Sequence, residues 1–172
     1  FGASRGIYAN TLQSGFDWER PTSVELIEPD GTTAFQVDAG IRIQGNTSRD
    51  PGRNPKHSLR LVFRKRYGDA KLNYQFFDNS PVDEFDTLVL RSNSQDAWVY
   101  DTASNRLGTF IRDQWTRETQ LAMGQPAAHG NWVHLYINGL YWGVYNPTER
   151  PDAFFDAAYL GGKKDNYDAL KN

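Results

Sequence analysis

Cysteine is absent from the 172-residue chain. That absence excludes disulfides, thiolate metal sites and a cysteine nucleophile, but it suits a reducing cytosol and a disulfide-free exterior equally well. Long apolar runs are also missing. Nothing approaches the roughly 20 residues of a membrane-spanning helix, and no basic segment leads into an apolar stretch as in a signal peptide. The charge excess of a nucleic-acid or anionic-membrane binder is lacking, with 19 Lys+Arg against 21 Asp+Glu and a net charge of -2. The three histidines, His57, His129 and His134, have no metal-ligand spacing and read as ordinary half-buried or exposed side chains. The nucleotide fingerprints G-x-x-x-x-G-K-[ST] and G-x-G-x-x-G do not occur, nor does the nucleophile elbow G-x-S-x-G. No carboxylate pair stands out for hydrolysis, and there is no internal repeat.

What is present is aromatic. Phe, Trp and Tyr make up 14% of the chain despite a mean hydropathy of -0.70, so a core can be built, and the length suits one domain. Residues 1–39 read as a turn-rich lead-in followed by a hairpin, with Val24, Leu26, Phe35 and Val37 alternating around a Pro-Asp-Gly turn. Ile41 and Ile43, then Leu59, Leu61 and Phe63, continue the alternation, with Arg60 and Arg64 on the opposite face. Leu88-Val89-Leu90 predicts a strand buried on both faces. Between 107 and 123 the period lengthens. Leu107, Ile111, Trp115 and Ala122 fall on one helical stripe, Asp113 and Arg117 lie four apart on the outer face, and Gly124 and Pro126 supply a stop. Asn138-Gly139 between Val133-x-Leu135-x-Ile137 and a returning apolar run predicts a type I′ hairpin. A short helix closed by glycines follows, and residues 161–172 run off without a cap. With Phe1 in place of an initiator Met, the chain is expected to be a fragment. The fold class expected is α+β: a twisted antiparallel sheet with one main packed helix.

The strongest charge asymmetry lies between Arg42 and Arg66, where eight cationic side chains face Asp50 alone, a net +7. Gly45, Asn46, Thr47, Ser48 and Gly52 in its loop can turn N–H groups and hydroxyls toward an anion, with Arg42 and Lys56 at the loop's feet. A solvated hairpin loop would have the same composition. The tryptophans allow a sugar-stacking surface, but Trp115 on the helix stripe and Trp142 in the hairpin read as core.

The stretches "GIRIQGNTSRDPGRNPKHSLRLVF", "FDTLVLRSN" and "FIRDQWTRETQLAMGQPAAHGNWVHLYINGLYWGVYNPTERPDAFF" together resemble the CotH family of spore-coat-type secreted kinases over residues 40–160. The resemblance implies the N-terminal part of an atypical protein-kinase-like fold. It also implies transfer of the γ-phosphate of ATP to Ser or Thr of a protein, with Mg²⁺ or Mn²⁺, in a bacterial secreted or cell-surface setting. It implies Lys56 as the phosphate-contacting lysine and Glu149 as its carboxylate partner. Arg42 and Ser48 would then line the phosphate loop, and Arg60 would be a further cation. Arg91, Asn93 and Arg112 fall on family positions without an assigned role. The family's catalytic and metal-binding Asp stretches, resembling N-W-D-x-x-x-x-N and W-D-x-D, do not occur here, and Asp165 and Asp168 read as solvent-facing. No catalytic or metal residue is therefore assigned, and the chain by itself is expected to be inactive. The other expectation is a non-catalytic structural or binding module of a surface assembly, with envelope proteins as partners.

Overall fold

A computed structural model describes residues 6–98 and 108–170. Six strands form one antiparallel sheet in the order β1-β2-β3-β6-β8-β7. They are β1 (Arg20–Ile27), β2 (Thr33–Gln44), β3 (Ser58–Val62), β6 (Thr87–Arg91), β7 (Val133–Ile137) and β8 (Leu140–Glu149). A separate two-stranded pair, β4 (Leu72–Asn73) with β5 (Glu84–Phe85), sits in the β3–β6 connection. Among the described residues two α-helices complete the α+β fold, α1 (Arg112–Ala122) and α2 (Ala153–Leu160).

Period-two alternation sorts this sheet into two unlike faces. Ile43, Leu59, Leu90 and Pro147 stand in register across four strands, as do Ile41, Leu61, Leu88 and Glu149. Their face packs on Phe63, Leu72, Phe77 and Phe85, the core that the β3–β6 connection supplies. The alternate rows are polar: Arg42 pairs with Arg60, and Arg60 continues to Val89 and Thr148. The β6 strand is buried throughout Leu88-Val89-Leu90, and the β7–β8 turn has positive φ at both Asn138 and Gly139, as a type I′ turn requires. Trp142 packs against the core. The lead-in is more ordered than its composition predicts. It holds short 3-10 helices at Gly6–Tyr8 and Phe16–Trp18, and β1 begins already at Arg20.

Helix α1 overturns its sequence pattern. It starts at Arg112 instead of 107, and Leu107 lies outside the described residues. Trp115 is 66% exposed and Ile111 54% exposed, so the apolar stripe faces outward. The inner face is polar: Gln114 is buried, and Arg117 donates to Asp113 Oδ2, Gln114 Oε1, Asn146 Oδ1 and the Ala128 carbonyl. Asp113–Arg117 is therefore an inward pair, not an outer one. The reason is what the helix docks on. Asn146, wholly buried in β8, offers hydrogen-bonding groups and no apolar surface at that point. Helix α2 forms as its sequence predicts, N-capped by Asp152 Oδ1, which accepts from the N–H groups of Phe154 and Phe155, and closed by Gly161 at φ 82°.

Candidate functional site

The polar sheet face carries two adjoining depressions. The smaller, about 620 Å³, lies beneath the start of the basic loop and is lined by Gly45, Ser48, Arg91, Asn93, Arg112 and Glu149, among others. The larger, about 1130 Å³, is a trough that contains Arg42 and Arg60, and Arg150 lines both.

The loop over the cleft is shaped by its own short-range bonds. Gly45 has φ +128°, and a side chain there would collide with Ser48 Oγ, so only glycine suits this corner. Thr47–Arg49 is a single 3-10 turn, and Asn54, wholly buried, donates from Nδ2 to the Ser48 carbonyl at 3.1 Å. Arg49 does not face the cleft. Its guanidinium is buried and donates to the carbonyls of Thr11, at 2.7 Å, and Gln13, which fastens the lead-in to the loop.

Strain concentrates on the cleft's other wall. Asn93 (φ 57°), Ser94 (φ 29°) and Phe110 (φ 68°) are non-glycine residues in the left-handed region, and such outliers persist where the surrounding structure over-determines them. Asn93 Nδ2 donates to the Phe110 carbonyl, tying the two strained points together. Asp96 fixes the helix entry. Its carboxylate accepts from the N–H groups of Thr109 at 2.8 Å and Arg112 at 2.9 Å, and it pairs with the Arg112 guanidinium at 3.0 Å. Burial alone would raise its pKa, but those N–H bonds and the Arg112 charge outweigh it and hold the carboxyl below the usual range. Arg91 meets Asp113 at 3.3 Å.

The five residues expected to hold nucleotide do not all meet. Ser48 and Glu149 line the cleft, Arg42 and Arg60 line the trough, and Lys56 lines neither. Lys56 instead donates to the Val144 carbonyl, with its ammonium 4.3 Å from the Tyr145 ring and 4.9 Å from the Phe110 ring. Glu149 stands four residues beyond Tyr145 on β8, about 13 Å at the rise of an extended strand. Its carboxylate is occupied by other donors: the His129 N–H at 2.8 Å, His129 Nδ1 at 3.0 Å and the Tyr159 hydroxyl at 2.8 Å to both oxygens. Among the described residues Lys56 and Glu149 form no ion pair.

Burial pulls the Lys56 ammonium down to about 8. The unfolded chain therefore holds a proton that the folded chain gives up between about pH 8 and the ordinary lysine range near 10.4. The cost of the buried charge is fully present below pH 8, and stability should rise as pH rises through that window, until tyrosine ionisation opposes it. We expect the urea midpoint to increase from about pH 7.5 to about pH 9.5 in the native chain and to stay flat in Lys56→Met. An equal rise in both would remove Lys56 as its source.

In the trough, Arg42 and Arg60 stand directly opposite each other on neighbouring strands. Arg42 Nε and an Arg64 nitrogen each lie 3.8 Å from the fully buried Glu19 carboxylate. Burial first, then repulsion from Arg150 and Arg42, pulls Arg60 down to about 10, and its Nε is buried with no hydrogen-bond partner. Asp86, also in the trough, is raised by burial and by Asp152.

Sequence reasoning placed the basic loop and the family positions but missed Asp96 and the Arg117–Gln114–Asn146 network. A signal for Asp96 existed in the polar run Ser92-Asn93-Ser94-Gln95-Asp96 directly after a strand with a buried Leu88–Leu90 centre, since polar loops at strand ends commonly carry sites. Among the described residues, no helix is long and apolar enough to cross a membrane. No curated protein matches this chain. The family model described as CotH kinase protein matches residues 41–171, most of the sequence, and the chain belongs to that family.

Proposed function

We propose that this chain supplies the nucleotide-gripping part of a secreted or surface-associated kinase that passes the γ-phosphate of ATP to Ser or Thr of a protein. One observation carries the reading. Ser48, Arg91, Asn93, Arg112 and Glu149, distant in sequence and all on positions that bear the family resemblance, converge on one cleft. Its volume of about 620 Å³ falls within the range of ligand sites.

The residues present fit a phosphate chain. Arg91 meets Asp113 through a single nitrogen, and a guanidinium has five N–H donors in a planar fork suited to phosphate oxygens. Ser48 adds a hydroxyl beneath a glycine corner where the backbone can approach closely. Arg112, held by Asp96 at the start of α1, would face the same phosphates. Lys56 acts on this reading by tying the loop to β8 through Val144, and Glu149 by fixing His129 and Tyr159 behind the cleft. Metal-bound ATP would supply a transferable phosphoryl group with its charge partly neutralised, and such chemistry needs positioning and charge more than covalent help from the protein. Among the described residues no three His, Cys, Asp or Glu side chains are grouped to hold a metal ion, so none is assigned to Mg²⁺ or Mn²⁺.

Calorimetric titration of the chain with ATP, with Mg²⁺ or Mn²⁺ and without, tests the reading. Arg91→Ala should weaken binding about tenfold or more, in keeping with the loss of a charge-assisted bond to phosphate. No ATP binding at millimolar concentration would sink the proposal. It would favour a non-catalytic structural or binding module.

A further inference from the structure

The trough beside the nucleotide cleft is out of keeping with the chain's overall charge. Eight Lys and Arg side chains line it against four carboxylates, a local excess of +4 in a chain whose total is -2. Some of those cations have acidic partners: Lys71 pairs with Glu84, Arg150 with Asp152, and Arg42 and Arg64 both approach Glu19. Arg60, Lys65, Lys163 and Lys164 form no ion pair among the described residues, and the two C-terminal lysines are exposed. Like charges placed directly opposite on neighbouring strands are unfavourable, yet Arg42 faces Arg60 across β2 and β3, and the Arg60 Nε is buried without an acceptor. A buried donor left unmatched is costly, and an anion entering the trough would relieve both features.

We infer that the trough binds an acidic polypeptide segment, with Arg42 and Arg60 on one side and Lys163 and Lys164 on the other taking its Asp and Glu carboxylates. The volume of about 1130 Å³ exceeds what a single small ligand fills. The unmatched cations are spread along the trough from β3 to the segment after α2, which suits a chain of spaced carboxylates better than one compact phosphate group. Phe63, Val62 and Val82 give the lining apolar parts against which an extended backbone can lie. Because Arg150 borders both depressions, a chain in the trough would run toward the nucleotide cleft. Identifying that chain as the phosphate acceptor, a Ser or Thr flanked by acidic residues, rests on the phosphotransfer reading. Binding of the acidic segment does not.

The test is fluorescence anisotropy with a labelled decapeptide of Asp and Glu around one central Ser, titrated with the whole chain at low and at high salt. Binding should weaken steeply with salt, and a neutral peptide of the same length should not bind. Arg60→Gln should weaken binding. Because that site is half-buried, Lys163→Glu with Lys164→Glu, on exposed positions that leave the fold intact, should independently weaken it about tenfold or more. Equal binding of the neutral peptide would overturn the inference. So would equal binding of an oligonucleotide of the same charge, which would make the trough a general polyanion surface. Loss of ATP affinity in the lysine double variant matching its loss of peptide affinity would assign the trough to nucleotide phosphates and overturn it as well. A chain that binds the peptide but not ATP would retain this inference and lose the kinase reading.

Discussion

Replacing Glu149 by leucine should destabilise the protein by about 3 kcal/mol or more, measured as a shift in urea unfolding at constant m-value. The carboxylate is 4% exposed. It is the acceptor for the His129 N–H and for the Tyr159 hydroxyl, which also meets Ser80 Oγ at 2.9 Å, and it lies 3.0 Å from His129 Nδ1. Leucine fills the space but accepts nothing, and each buried donor left without a partner costs about 1–3 kcal/mol. Glu149→Gln keeps one carbonyl acceptor and should cost less than half as much. The comparison bears on function. A carboxylate whose main task was to meet a lysine charge would be dispensable for folding, and Leu and Gln would then have similarly small effects on stability. A large, graded loss would place Glu149 at the junction of β8, α2 and the Gly130 bridge to Thr148, as a support behind the cleft.

The second large effect is expected at Arg117. Its guanidinium, with the side chain 12% exposed, meets four acceptors, of which Asn146 Oδ1 and the Ala128 carbonyl tie α1 to β8 and to the segment before β7, beside the bonds of Gln114 to Gly130 and Asn146. Arg117→Leu would strand Asn146 Oδ1 and the Ala128 carbonyl and leave the Asp113 carboxylate paired with Arg91 alone. Removing one member of such a buried network costs about 3–5 kcal/mol. Because Asp113 and Arg112 lie on the same helix, the variant should also lose ATP affinity without touching a cleft residue. Unfolding and nucleotide titration together separate the outcomes. A variant with unchanged stability would show that α1 is held by something other than this network.

The strands were legible because each carries a period-two pattern on an apolar core: Ile41, Ile43, Leu59, Leu61 and the Leu88–Leu90 run all lie where alternation puts them. The Asn138-Gly139 turn and the glycine end of the second helix were legible because their chemistry is local. Helix α1 was misread at its face for a physical reason. Periodicity reports which stripe is apolar, and it equals the buried stripe only when the docking surface is apolar too. Here the docking surface is Asn146 and backbone carbonyls, so Gln114 and Arg117 turn inward and Trp115 turns out. The two-stranded β4–β5 pair was invisible for a related reason, since two residues per strand are too few to show a period.

The sequence by itself determined the sheet strands, the hairpin turns, the second helix, the basic character of the 42–66 stretch and the family, because all of these are encoded by neighbours within a few residues or by ordered motifs. The tertiary structure alone decided where the charges go. Arg49 turns to the lead-in, Lys56 to β8, Glu149 to His129 and Tyr159, Arg42 and Arg60 to the trough, and Ser48 to the cleft with Arg91 and Arg112. A charged side chain carries no period that fixes its partner. Its place is set by which acceptors and which other charges the strand pairing brings within reach, and that pairing joins residues as far apart as Lys56 and Val144.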